Sequence, residues 1–86
     1  MIKVSVIIPV YNAADTIERC VDSILQIRRN DVEVVLVEDC STDNSLSVCK
    51  MLNEKYSNVR CLSNDKNRGV SYTRNKGVRN ANGRYI

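Results

Sequence analysis

Apolar residues along this chain follow two alternating rhythms. Val4 to Ile8 is β-branched and apolar at every position except Ser5, the pattern of a strand covered on both faces, and Pro9 ends it. From Asn12 the period lengthens. Ile17, Cys20, Val21, Ile24 and Leu25 recur at i, i+3, i+4, i+7 and i+8, which is one face of a helix. Asn12 can accept from the free amides of a first turn, and Asp15 suits the positive end of the helix dipole, so the helix is expected to open near Asn12. Val32 to Val37 is a second strand-like run. Ser41, Thr42 and Asp43 then offer N-cap side chains for a helix carrying Val48, Cys49, Leu52 and Tyr56 on one side. A shorter strand, Val59 to Leu62, leads through the polar loop SNDKNRG into a helix from Val70 to Ala81 and a turn at Asn82-Gly83. Arg84-Tyr85-Ile86 reads as the start of another strand.

Strand and helix thus alternate three times with crossovers long enough for parallel pairing. That predicts an α/β fold of three layers, a mainly parallel sheet with helices on both faces, a Rossmann-like half domain. Ligands of such sheets bind outside the carboxyl ends of the strands. Here those ends are Pro9-Val10-Tyr11-Asn12 and Glu38-Asp39-Cys40-Ser41, so two adjacent carboxylates sit on the binding edge. Strand neighbours face opposite ways, and one of the pair is expected to meet a ligand. The first loop, PVYNAAD, has no glycine and matches neither the dinucleotide fingerprint nor a P-loop. Tyr11 instead offers a flat ring on which a base can stack. An ionised Asp39 accepts hydrogen bonds and donates none, which suits the N–H of a pyrimidine imide such as uracil.

Composition limits the remaining classes. At 86 residues the chain makes one small domain or part of one, and its 43% hydrophobic and 27% charged content is that of a globular protein. The apolar runs are far too short to cross a bilayer, and no leader pattern opens the chain, so a cytoplasmic place is expected. The four cysteines are widely spaced, without a C-x-x-C pair, and histidine is absent, which argues against zinc. The thiols are expected to be reduced packing groups. Net charge is +3, yet residues 60–86 hold seven Lys or Arg against Asp65 alone. This basic third reads either as a solvated helix face or as an anion site. With only Tyr72 and Tyr85 among the arginines it lacks the aromatic platform of an RNA binder, and no nucleic-acid partner is expected.

Three blocks carry a family resemblance. VSVIIPVYNAADTIERCVDSIL is similar to the strand, P-x-Y-N turn and first helix of family 2 glycosyltransferases; VEVVLVEDCSTDNS resembles their second strand and D-D-G-S-T-D loop; NRGVSYTRNKGVRNANGRYI resembles their N-x-G, A-R-N-x-G and G-x-Y-I segment. The blocks follow in order across almost the whole chain. The resemblance implies the GT-A fold and a nucleotide-sugar donor, with a UDP-sugar suggested by the uracil argument. It implies that Pro9, Val10 and Tyr11 wall the base site, that Asp39 contacts the base, and that Gly69 and Arg74 occupy the family's N-x-G and A-R-N positions. It departs at Glu38 for Asp, at Cys40 for Gly, which argues against a left-handed backbone there, and at Thr73 for Ala.

In that family the next strand runs into an Asp-x-Asp motif holding Mg²⁺ or Mn²⁺ against the donor diphosphate, and the acceptor site and catalytic carboxylate lie further on. Residues 1–86 are therefore expected to be the nucleotide-sugar-binding portion of a glycosyltransferase catalytic domain, truncated before that motif. The expected reaction of the parent is sugar transfer to an acceptor hydroxyl, on a saccharide or lipid-linked acceptor, with the parent either free in the cytoplasm or peripheral to the inner membrane face. The piece alone, with no catalytic residue or metal ligand of its own, is expected to bind nucleotide and not to turn over. The alternative is a non-catalytic nucleotide-binding regulatory module.

Overall fold

The computed structural model describes residues 2, 4–26 and 30–83. The strand expected at Arg84-Tyr85-Ile86 lies outside them. Six elements alternate: β1 (Val4–Val10), α1 (Ile17–Leu25), β2 (Val32–Glu38), α2 (Ser45–Lys55), β3 (Val59–Ser63) and α3 (Val70–Asn80). The strands form one parallel sheet in the order β1-β2-β3. Val4 pairs with Val32 and Val10 with Glu38, while Val34 pairs with Val59 and Glu38 with Ser63. All three strands therefore end together at one edge.

The period-2 alternation of β2 sorts the layers. Val34 and Leu36 join Val10, Ile17, Val21, Cys49, Leu52 and Val59 in a core shared with α1 and α2. Val37 points the other way, toward α3, where Gly77 comes so close that a Cβ there would overlap the Ile7 side chain and stand 3.1 Å from Val37. Helices thus cover both faces, as the pattern predicts. Six consecutive residues of β2, Glu33 to Glu38, are buried, as befits a central strand with helices above and below.

Glu33 is one of two buried carboxylates in that strand, Glu38 at its end being the other. The Glu33 carboxylate accepts from the Ser5 hydroxyl at 2.6 Å, the Asn82 N–H at 2.6 Å and the Arg60 guanidinium at 3.3 Å, and Gly83 N–H donates to Ser5 Oγ at 2.8 Å. These bonds fasten the end of α3 to the amino edge of the sheet.

Two local expectations need correcting. Helix α1 opens at Ile17 and not near Asn12, because the Asn12 side chain is engaged by the neighbouring loop. The thiols are not uniformly packed: Cys49 is buried and Cys61 half-buried, but Cys20 and Cys40 are exposed. Contact with Cys61, together with burial, pushes the Cys49 thiol well above its ordinary range.

Candidate functional site

The carboxyl edge of the sheet is organised by loops that hold one another. Asn12, at φ 50° in the left-handed region that Asn tolerates, donates its N–H to Ser41 Oγ at 2.9 Å and accepts from the Thr42 N–H at 2.9 Å. Ala13 N–H donates to Ser45 Oγ at 2.8 Å, and Asp43 accepts from the Ser45 N–H at 2.9 Å and the Ala14 N–H at 3.3 Å. The N-cap of α2 is Asn44, one residue beyond the expected Ser41-Thr42-Asp43 cluster, and its side chain makes no cap bond; Asp43 instead takes the first helical amide, Ser45, and clips the two loops together. Asp39 N–H closes the join on Val10 O at 2.8 Å.

The two adjacent acids divide by strand parity. Glu38 turns toward the α2 side, where its carboxylate accepts from Cys40 N–H at 3.0 Å and Ser41 N–H at 2.7 Å. This wraps the chain tightly, and Cys40 takes φ 55°. The expectation against a left-handed Cys40 is overturned, since Glu38 binding two successive amides requires the turn. Asp39 faces the α3 side. Its Oδ1 accepts from Arg68 N–H at 2.7 Å and Asn64 Nδ2 at 2.8 Å, and its Oδ2 from Gly69 N–H at 3.0 Å. Gly69, at φ 89°, adopts a backbone conformation that favours glycine and leads directly into α3. Burial works to raise the Asp39 pKa, but the hydrogen bonds from the Arg68 amide, Asn64 and the Gly69 amide outweigh it and hold the carboxyl below its ordinary range.

Above these loops lies a cleft of about 250 Å³ lined by Pro9, Val10, Tyr11, Asp39, Val70 and Thr73. Tyr11 and Val70 are exposed at 49% and 60%, leaving a ring and an isopropyl group open beside a fixed acceptor. Four residues singled out in the sequence, Pro9, Val10, Tyr11 and Asp39, therefore meet in one place. Gly69 adjoins them through its amide. Arg74 is exposed on α3 and is not among the residues lining the cleft. The Arg68 side chain turns outward to Asp65, Nη2 to Oδ1 at 3.0 Å, and lies 5.2 Å from the Tyr72 ring centroid, so only its backbone serves the site.

Sequence reasoning missed Asn64, Thr73 and Val70 as members of this site. Thr73 carried a signal, a hydroxyl on the apolar side of a helix; Asn64 stood undistinguished in a polar loop. A hollow of about 320 Å³ beside Asp22, Leu25, Gln26 and Tyr56 is a separate feature, bridged by the Tyr56 hydroxyl donating to Asp22 at 3.1 Å.

The side chains of the described residues do not fit a divalent metal. Among the described residues no three acidic or thiol side chains converge, and Glu38, Asp39 and Asp43 are each engaged by backbone amides. Nor is any helix among them long and apolar enough to cross a membrane.

The chain is similar in sequence and in fold to known proteins. The chain is 40% identical over 84 residues to the glycosyltransferase YibD of Escherichia coli, a match covering 98% of this chain and 24% of that protein. It is 38% identical over 87 residues to a poly(ribitol-phosphate) beta-glucosyltransferase of Bacillus spizizenii, covering 98% of this chain and 14% of that one. Among solved structures, the mannosyltransferase PcManGT from Pyrobaculum calidifontis, in complex with GDP-Man and Mn2+, superposes with a TM-score of 0.82 at 31% identity, over 92% of this chain and 24% of that one. TarS 1-349 of S. aureus in complex with UDP also gives 0.82, at 32% identity, over 95% and 25%. The chain spans a quarter or less of each of these proteins. The model of glycosyl transferase family 2 matches residues 5–86, and this chain, with its open parallel sheet and GT-A relatives, belongs to that family.

Proposed function

We propose that the cleft is the nucleoside pocket of a donor site, and that the protein carrying this chain transfers a sugar from a nucleoside diphosphate sugar, of the uridine type, to an acceptor hydroxyl. The observation that carries the reading is the convergence of Tyr11, Pro9 and Val10 with an Asp39 held ionised and fixed on one cleft. Stacking on an aromatic ring contributes roughly 1–3 kcal/mol per base, and a charge-assisted hydrogen bond roughly 1.5–3 kcal/mol. Together these support millimolar binding by the chain alone.

Uracil suits the pocket better than guanine. Uracil presents one ring N–H between two acceptors, whereas guanine presents adjacent N1–H and N2–H donors that call for both oxygens of a carboxylate. Three donors already occupy Asp39. The UDP complex of TarS supports the uridine reading, and the GDP-Man and Mn2+ complex of PcManGT supports a nucleotide-sugar donor with a divalent ion. Such an ion would help the nucleoside diphosphate to leave, on ligands other than the acids described here.

Titrating UDP into the ¹⁵N-labelled chain tests the pocket. Shifts at the Tyr11, Asp39 and Val70 amides are expected. Shifts confined to Arg74, Lys76 and Arg79 would reject it.

A further inference from the structure

We infer that Asn64 and Thr73 are positioning residues that leave Asp39 a single open acceptor position and so set which base edge the cleft takes; this rests on the nucleoside reading above. Asn64 is buried, 7% exposed, and its N–H is anchored on Glu38 O at 2.8 Å. The Lys76 ammonium, itself held on Ser63 O at 2.6 Å, lies 3.2 Å from Asn64 Oδ1. On the other side Asn64 Nδ2 meets Asp39 Oδ1 at 2.8 Å and Thr73 Oγ1 at 3.0 Å. An ammonium only donates and an ionised carboxylate only accepts, so the amide has one permitted orientation. Fully buried Thr73 completes the chain: its hydroxyl proton goes to Gly69 O at 2.7 Å, leaving its oxygen to accept from Asn64.

Every donor in this relay has one direction, and the sum falls on Asp39. A carboxylate has about four acceptor positions. Oδ1 takes two donors, Arg68 N–H and Asn64 Nδ2, and Oδ2 takes one, Gly69 N–H. One position is left, on Oδ2. Asp39 and Thr73 both line the cleft, so the relay backs directly onto the ligand space. A ring N–H can fill the open position, as in uracil. The N3 lone pair of cytosine would face a carboxylate that cannot rotate away. Removing the Thr73 hydroxyl leaves one buried Asn64 N–H without its acceptor, and the amide has to shift away from its present seat to find another, which loosens Oδ1 and relaxes the discrimination.

The test compares UMP and CMP titrations of the labelled chain with Thr73→Val and Thr73→Ser variants. Valine keeps the shape and β-branching of threonine without the hydroxyl; serine keeps the hydroxyl. The unaltered chain is expected to prefer UMP, Thr73→Val to narrow that preference by roughly tenfold, and Thr73→Ser to retain it. A folded Thr73→Val chain with the original preference, or one weakened equally toward both nucleotides, overturns the inference while leaving the pocket in place. Lys76→Met, at the partly exposed end of the relay, covers the case in which Thr73→Val does not fold. It is expected to narrow the preference in the same direction, and an unchanged preference overturns the inference. If the unaltered chain shifts at neither Tyr11 nor Asp39 with UMP, the nucleoside reading fails first and this inference with it.

Discussion

Two buried carboxylates, Asp39 and Glu33, hold much of this small chain's polar organisation. Burial favours the protonated form of each. Around Asp39 the Arg68 amide, Asn64 and the Gly69 amide reverse that preference, and around Glu33 the Ser5 hydroxyl, the Asn82 amide and Arg60 do the same. Both folded-state pKa values are therefore lowered, while the unfolded chain titrates at the ordinary 3.8 and 4.5. As the pH falls through that window the unfolded state binds more protons than the folded one, and stability drops; above it both groups are ionised in both states and their contribution is constant. With no histidine in the chain, thermal midpoints are expected to be nearly flat from about pH 6 to 7 and to fall below about pH 5. Asp39→Asn should cost about 1–3 kcal/mol at neutral pH, since it places an amide donor against amide donors, and should reduce the acid sensitivity. Melting curves across pH for both proteins check this. Cys40 gives the opposite sign: at φ 55° it sits where glycine is favoured, and Cys40→Gly is expected to stabilise by about 0.5–1 kcal/mol in denaturant titration.

At the scale of elements, the close approach of α3 to the sheet depends on Gly77. A Cβ there meets the stiff β-branch of Ile7, which cannot swing aside as the tip of a long chain could. Gly77→Ala gains helix propensity of about 1 kcal/mol but loses more through overpacking, and a net loss of about 1–2 kcal/mol is expected from thermal or chemical unfolding. Periodicity made these elements legible, since apolar positions at spacings of two and of three to four report which face is covered. It misplaced the start of α1 because Asn12, a sound local cap, is engaged by Thr42 thirty residues on. Cys20 has the spacing of the covered face yet is exposed, while Ile17 and Val21 are buried. The adjacent carboxylates were legible as the carboxyl edge of the sheet, and their division by parity followed from strand geometry. The donors that fix Asp39 come from residues 64–69, and no local pattern ties that loop to this acid.

For the whole molecule, the disposition of acids decides what the 86 residues can do unaided. Sugar transfer from a nucleoside diphosphate donor requires the departing diphosphate to be neutralised and the attacking hydroxyl to lose a proton. At the cleft edge Glu38 holds the Cys40 and Ser41 amides, Asp43 holds Ser45 and Ala14, and Asp39 holds the Arg68 and Gly69 amides and Asn64, with one position left that we propose for the base. Each is committed to the loop it organises, and among the described residues no further acid converges on them to complete a cation site. Arg68 is turned to Asp65, and Arg74 is exposed on α3 outside the cleft lining. The isolated chain is accordingly expected to bind UDP with an affinity that Mn²⁺ does not change, and to release no UDP from UDP-sugars above background. A longer protein that supplies a metal-binding carboxylate pair and a base should show both the Mn²⁺ dependence and the turnover. Measuring UDP affinity with and without Mn²⁺, and UDP release by the two proteins side by side, separates binding from chemistry. Mn²⁺-stimulated turnover by the 86 residues would mean that Glu38 or Asp39 leaves its amides to serve the metal, and Asp39 would then lose its place as the acceptor for the base.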